Sequence, residues 1–190
     1  RISNNLINAW RTGIFHNLWY SDASTISVDN NSINAITFPG FTDKWNGILL
    51  TSFGGSVNTL VVDNIIDIPT EVTDALTNPA TGYHFWNDTT TADLTLSGGS
   101  VTGGDFGVWV NNYEGYASDG GDTAIIVDGL VISNADVGVN IWVSPSATND
   151  ATIEATVQNS TIINSTTAIQ VNGTDATGLV KGNTLDSIGT

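Results

Sequence analysis

The 190-residue sequence predicts an all-β solenoid, a chain wound into stacked coils that pair strand on strand. Three observations carry this expectation. Short Val/Ile/Thr-rich runs are broken throughout by Asn, Gly, Ser and Asp, which is strand-and-turn chemistry. A short frame, an aliphatic residue followed two positions later by Asn or Gly, recurs in seven copies. A second frame, a small residue followed by an apolar one, follows in six of them. Leu, Ala, Glu and Lys are too sparse to build a long amphipathic helix.

The first frame reads Ile2-Ser3-Asn4, Val28-Asp29-Asn30, Val62-Asp63-Asn64, Leu96-Ser97-Gly98, Val127-Asp128-Gly129, Val157-Gln158-Asn159 and Val180-Lys181-Gly182. Successive copies lie 26, 34, 34, 31, 30 and 23 residues apart. Asn and Gly enter the left-handed backbone region most cheaply, so one bend is expected to repeat in a line along the stack. Three residues further on, an inward aliphatic is expected at Ile7, Ile33, Val101, Ile132, Ile162 and Leu185. The third copy places Asp67 there, which reads as a bulge or a shifted register.

The second frame reads Gly13-Ile14, Gly47-Ile48, Gly82-Tyr83, Gly107-Val108, Gly138-Val139 and Ala168-Ile169. Four copies keep an offset of 11 residues from the first frame, and two are longer at 19 and 20. That is a constant coil carrying insertions, at 34–46 and 68–81, with further ones after the second frame at 111–121 and 144–150. Helix is expected only as a turn within 70–76, where Pro69 precedes Thr70 and Glu71. Beyond the small residue, alternation turns one set of side chains inward, such as Ile48 with Leu50 and Val108 with Val110. The other set faces outward: Phe15, Leu49, His84, Trp109, Asn140 and Gln170 in one position, Asn17, Thr51, Trp86, Asn111, Trp142 and Asn172 two residues later.

The Asn/Gly column, with Asn4, Asn30, Asn64 and Asn159, resembles the stacked turn asparagines of the right-handed parallel β-helix superfamily, the pectate-lyase-like fold with short β-helix repeats. The resemblance spans essentially the whole chain. It implies a single domain over 1–190, a right-handed parallel β-helix of about seven coils, truncated at both ends. The superfamily hosts lyases, hydrolases, phage tailspikes, adhesins and passive spacers, so the resemblance bears on fold and leaves function open.

Composition narrows the function. Four Lys+Arg against 19 Asp+Glu give a formal net charge of −15, which excludes a phosphate-neutralising nucleic-acid surface and a polybasic membrane patch. Only 12% of residues are charged while 40% are hydrophobic, a balance that folds. Without Cys there are no disulfides and no thiol chemistry. No apolar run reaches the length of a membrane-spanning helix, so direct membrane insertion is not expected. The chain has no Met and opens on Arg1, and is expected to be a segment of a longer or processed polypeptide.

The aromatic outward positions are the first candidate site. Trp86, Trp109 and Trp142, one above another beside His84 and Asn111, would form a ledge on which sugar rings stack; the plainer alternative is that the indoles cover neighbouring loops. The loop carrying Glu114, Asp119 and Asp122 is the one candidate metal site, an oxygen-ligand calcium site, although its spacing matches no standard calcium motif. No other cofactor is expected.

Catalysis finds less support. Uronate-lyase chemistry needs cations at the sugar carboxylate, and Arg1, Arg11, Lys44 and Lys181 are scattered over different coils. His16 and His84 lack the Gly-His-Gly setting of polygalacturonase-like enzymes. Acid pairs such as Asp119 with Asp122 or Asp63 with Asp67 are expected by chance among 19 acids. The expectation is therefore a non-enzymatic extracellular or cell-surface solenoid, structural or adhesive, with a glycan-binding face and open ends able to stack into filaments or sheaths. A polysaccharide-degrading domain of the same fold is the alternative. Among Asn-x-Ser/Thr sequences, Asn30 and Asn159 fall in the bend column and are not expected to carry glycan.

Overall fold

Strand-forming runs and left-handed bends wind the chain through three parallel sheets in the computed structural model, which describes residues 1–19, 23–53, 56–74, 77–88, 91–112, 122–143, 152–173 and 175–189. Sheet A holds the seven strands Ile2–Ser3, Ala23–Asp29, Ser56–Val62, Thr91–Ser97, Thr123–Asp128, Ile153–Gln158 and Ala176–Lys181. Sheet B holds Leu6–Ala9, Ser32–Ala35, Ile65–Asp67, Ser100–Thr102, Val131–Ser133, Thr161–Ile163 and Thr184–Asp186. Sheet C holds six: Thr12–Trp19, Trp45–Phe53, Ala80–Asp88, Phe106–Asn112, Val137–Val143 and Thr167–Asn172. The chain passes A, B, C in that order and repeats, so every strand pairs with its counterpart one coil away. The helix among the described residues is the single turn Thr70–Thr73, behind Pro69.

The bend after sheet A lines up as expected except in the third copy. Asp29 pairs with Val62, so Asn30 stands against Asp63 rather than Asn64. The left-handed residues are Asn4, Asn30, Asp63, Gly98, Gly129, Asn159 and Gly182, with φ from 51° to 67°. Asp enters this region nearly as readily as Asn, so a frame that accepted only Asn or Gly slipped by one residue. The slip also explains the misfit at Asp67. Ile66 pairs with Ile33 and Val101, which restores an unbroken aliphatic column from Ile7 to Leu185 with no bulge.

One residue after the bend runs a separate, inward column: Asn5, Asn31, Asn64, Gly99, Leu130, Ser160 and Asn183. Here the side chains bond from coil to coil. Asn31 Oδ1 accepts the Asn5 backbone N–H at 3.1 Å, and Asn64 Oδ1 accepts that of Asn31 at 2.9 Å. Near the other end, Asn183 Oδ1 accepts the Ser160 N–H at 2.8 Å and Ser160 Oγ accepts that of Leu130 at 3.2 Å. The stacked asparagines expected in one column thus occupy two, an outer column that bends and an inner one that bonds.

The second frame aligns without exception, Ile14, Ile48, Tyr83, Val108, Val139 and Ile169 pairing in succession. Its glycines answer to a close approach. A Cβ on Gly107 would fall 2.6 Å from the Gly138 carbonyl oxygen and 2.7 Å from Ile132 Cγ2, so the sheet B aliphatics pack directly on bare backbone. The core is the stack of inward aliphatics from all three sheets, and burying each one contributes about 1.5–3 kcal/mol.

Candidate functional site

The end of the first insertion, 34–46, borders a groove. Trp45 at its end is fully buried and its Nε1–H donates to the Ala9 carbonyl at 3.0 Å, pinning the loop to the first coil. Within the insertion Phe38 and Phe41 pack on Trp10, each with its ring centroid 5.0 Å from the indole's. From the first strand of sheet B, past Trp10 and the end of the insertion at Lys44 and Asn46, to the outer face of sheet C runs this groove of about 820 Å³.

Its lining combines aromatic, amide and cationic groups. Phe15, Leu49 and Trp86 rise from three successive strands of sheet C, and Trp10 stands at the loop side. Phe15 is 57% exposed and Trp10 43%, large apolar areas that a closed core would not leave in water. Asn17, Asn46 and Thr51 sit among them, with Thr51 Oγ1 donating to Asn17 Oδ1 at 2.8 Å. Arg11 and Lys44 line the same groove, two of the chain's four basic side chains. Arg11 lies 3.7 Å from Asp43 with both half exposed, a loose pair that leaves the guanidinium open to a ligand.

Beside the groove a polar ladder runs across the outer face of sheet C. His84 Nδ1 lies 3.1 Å from Asn46 Oδ1 and Nε2 lies 2.8 Å from Asn111 Oδ1. A neutral imidazole donates through one nitrogen and accepts through the other, so one of these asparagines must turn its amide N–H to the ring. Trp109 covers the imidazole in parallel, centroids 4.5 Å apart at 3°. Burial pushes the His84 imidazole down to about 4, with Lys44 acting in the same sense and the Asn111 hydrogen bond opposing. His16, in an inward position, is also shifted down by burial.

The expected ledge is therefore divided. Trp86, Trp109 and Trp142 do come from successive strands of sheet C, but not one above another. Trp86 and Trp142 share a column with Asn111 between them, while Trp109 stands in the neighbouring column between His84 and Asn140. The alternation of β-structure causes this, because the three residues sit at positions two apart along their strands. His84 and Asn111, expected at the surface, are buried and engaged with each other. Of the five expected glycan-contacting residues, Trp86 lines the groove. Trp10, Arg11, Phe38 and Lys44 escaped the periodic reading because they lie outside both frames. Their clustering within the first coil and first insertion, aromatics beside half of the chain's cations, was the available signal.

Of the expected calcium ligands, Glu114 and Asp119 lie outside the described residues. The Asp122 carboxylate accepts the Thr152 backbone N–H at 3.1 Å and its hydroxyl at 2.8 Å. No group of three or more metal-ligating side chains occurs among the described residues. Asp63 at the bend and Asp67 at the end of the third sheet B strand are both exposed. Comparison with protein-family models, curated proteins and solved structures found no match for this chain.

Proposed function

We infer that this chain is a non-enzymatic β-solenoid segment of the extracellular space or cell surface that binds polysaccharide in the groove beside the first insertion. The observation that carries this reading is the pair of half-exposed aromatic rings, Trp10 and Phe15, standing with Trp86 around polar amide and hydroxyl groups in one groove. Aromatic faces take the C–H faces of sugar rings, and Asn17, Asn46 and Thr51 suit their hydroxyls. Arg11 and Lys44 at the rim favour sugars bearing a carboxylate or sulfate. A coil of the right hand, in the manner of the pectate-lyase-like superfamily, follows the strong preference of parallel crossovers for that hand.

The test is binding to a panel of neutral and acidic polysaccharides by affinity electrophoresis, with Trp10→Ala, Phe15→Ala and Arg11→Gln beside an exposed control on sheet B, Val131→Thr. Each aromatic truncation should weaken binding about five-fold or more, the equivalent of about 1 kcal/mol per ring. Arg11→Gln should weaken acidic glycans selectively. Binding to no polysaccharide, or equal binding by the aromatic variants and the control, would overturn the reading.

A further inference from the structure

The outer face of sheet A carries a pattern that neither the core nor the groove uses. One outward column, followed from the second strand to the seventh, reads Ser27, Leu60, Thr95, Ile126, Thr156, Leu179. Hydroxyl and aliphatic residues alternate without a break. Leu60, Ile126 and Leu179 are 43%, 42% and 52% exposed, so each stands as a knob two strands from the next, roughly 9.6 Å apart. The hydroxyl positions between them are hollows. Over Thr156, between Ile126 and Leu179, the surface is concave, with a depression of about 440 Å³.

We propose that this face docks on the same face of a second copy of the chain, in a two-fold dimer whose axis runs along the strands between the fourth and fifth strands of sheet A. That axis reverses the order of coils while keeping each column opposite itself. The second strand then meets the partner's seventh, the third its sixth and the fourth its fifth. Every knob falls on a hollow: Leu60 on Thr156, Ile126 on Thr95 and Leu179 on Ser27, each contact made twice as a closed two-fold interface requires. An axis along the solenoid would instead set knob on knob.

The flanking columns, which had no part in choosing this axis, agree with it. On one side Asp93 meets Ala124, Glu154 meets Asn58 and Thr177 meets Thr25. On the other, Asp128 meets Ser97, Gln158 meets Val62 and Lys181 meets Asp29. Thus no carboxylate of this face opposes another, in a chain with 19 of them, and one of the four cations falls opposite an acid. Asp29 is buried and already held by Arg1 at 2.8 Å, so Lys181 meets a charge that is paired within its own copy and adds no ion pair to the interface. Six strands of about 20 Å bury about 600 Å² per copy, about 1,200 Å² in all, at the small end of specific interfaces. The dimer is therefore weak, and because each copy carries a net charge of −15 it strengthens as salt screens the repulsion between copies.

Sedimentation velocity from about 1 µM to about 1 mM protein, in about 0.05 M and about 1 M NaCl, tests this. The wild type should dimerise at the upper concentrations, with a dissociation constant at least several-fold lower in the higher salt. The triple variant Leu60→Thr/Ile126→Thr/Leu179→Thr, which extends the hydroxyl pattern already present, should stay monomeric with an unchanged circular dichroism spectrum. Ala124→Glu sets an acid opposite the partner's Asp93 and should weaken the dimer at least ten-fold in the lower salt. Adding Asp93→Lys to it should restore binding, a rescue that only this register allows. A wild type that is monomeric throughout, a triple variant that dimerises like the wild type, or an Ala124→Glu variant without effect would each overturn the proposal; the second result would assign self-association to another surface, such as the open ends.

Discussion

Replacing Asn64 by Ala tests the inner ladder where it is most heavily bonded. Asn64 is fully buried and its amide makes four hydrogen bonds. Oδ1 accepts the backbone N–H and the Nδ2–H of Asn31, both at 2.9 Å, while Nδ2 donates to the carbonyls of Val28 at 3.0 Å and Val62 at 3.2 Å. Val62 keeps a second donor, the Asn30 N–H at 2.9 Å, so its loss is small. The Asn31 N–H has no such reserve and sits where water does not reach. Stranding that donor costs about 1–3 kcal/mol, whereas the Asn31 Nδ2 keeps the carbonyls of Ile2 at 3.1 Å and Asp29 at 3.2 Å, so with the lost packing Asn64→Ala should lose on the order of 2–4 kcal/mol. Asn64→Ser should lose about half as much, because Ser160 in the same column already accepts a backbone N–H and donates to the Gln158 carbonyl at 3.0 Å. Urea unfolding followed by circular dichroism gives the totals. Hydrogen exchange locates the loss, which should centre on the coils either side of Asn64 because a solenoid coil touches only its neighbours. A loss below about 1 kcal/mol for Asn64→Ala, or a Ser variant no better than Ala, would refute the claim that these side chains hold the coils together.

Three further outcomes are expected. Gly107→Ala should destabilise by about 2–3 kcal/mol or more, and Ile132→Val should rescue little of it, because valine keeps the Cγ2 2.7 Å from the new carbon and the Gly138 carbonyl stays at 2.6 Å; equal unfolding midpoints for Gly107→Ala and the wild type would refute this. His84, held neutral with its value near 4 against about 6.5 when unfolded, stabilises fully above pH 6.5 and loses on the order of 3 kcal/mol as pH falls from 6.5 to 4, a loss that His84→Gln should abolish in urea titrations at pH 7 and 4.5. Trp109→Ala uncovers that imidazole and should cost about 2–3 kcal/mol while raising the titration point of His84 seen by NMR; an unchanged titration would show that the indole does not shield it.

The fold was legible because a solenoid repeats its local chemistry, and repetition shows in one sequence. The six second frames aligned as read, since in five of them a bare glycine backbone under Ile33, Ile66, Val101, Ile132 or Ile162 leaves few residue choices, and the sixth has the next smallest residue, Ala168. The first frame failed only where two residues share one conformational virtue. Asp63 and Asn64 stand side by side, either can occupy the left-handed bend, and the buried position that decided between them needs the amide. A second bend, after sheet B at Gly103, Asn134, Asn164 and Ser187, went unread because it starts late in the chain and changes residue type almost every time.

The candidate site was less legible because alternation tells which side of a sheet a residue faces but not what lies over that side. His84 and Phe15 occupy one outward column of sheet C, yet one is buried and the other 57% exposed. The difference comes from neighbours set by tertiary folding: Trp109 and two asparagines close over His84, while Phe15, on the edge strand of sheet C, lines a groove. Insertions fold outside the repeat, so their contacts carry no period to read. Binding surfaces of solenoids are expected at just such insertions, because a repeating coil offers the same few positions at every level and only an interruption can make a concave, singular place. The groove fits that reasoning, and the regular face of sheet A fits its converse. A surface that repeats is suited to another surface with the same repeat, which is why a second copy, and not a small ligand, is the partner assigned to it.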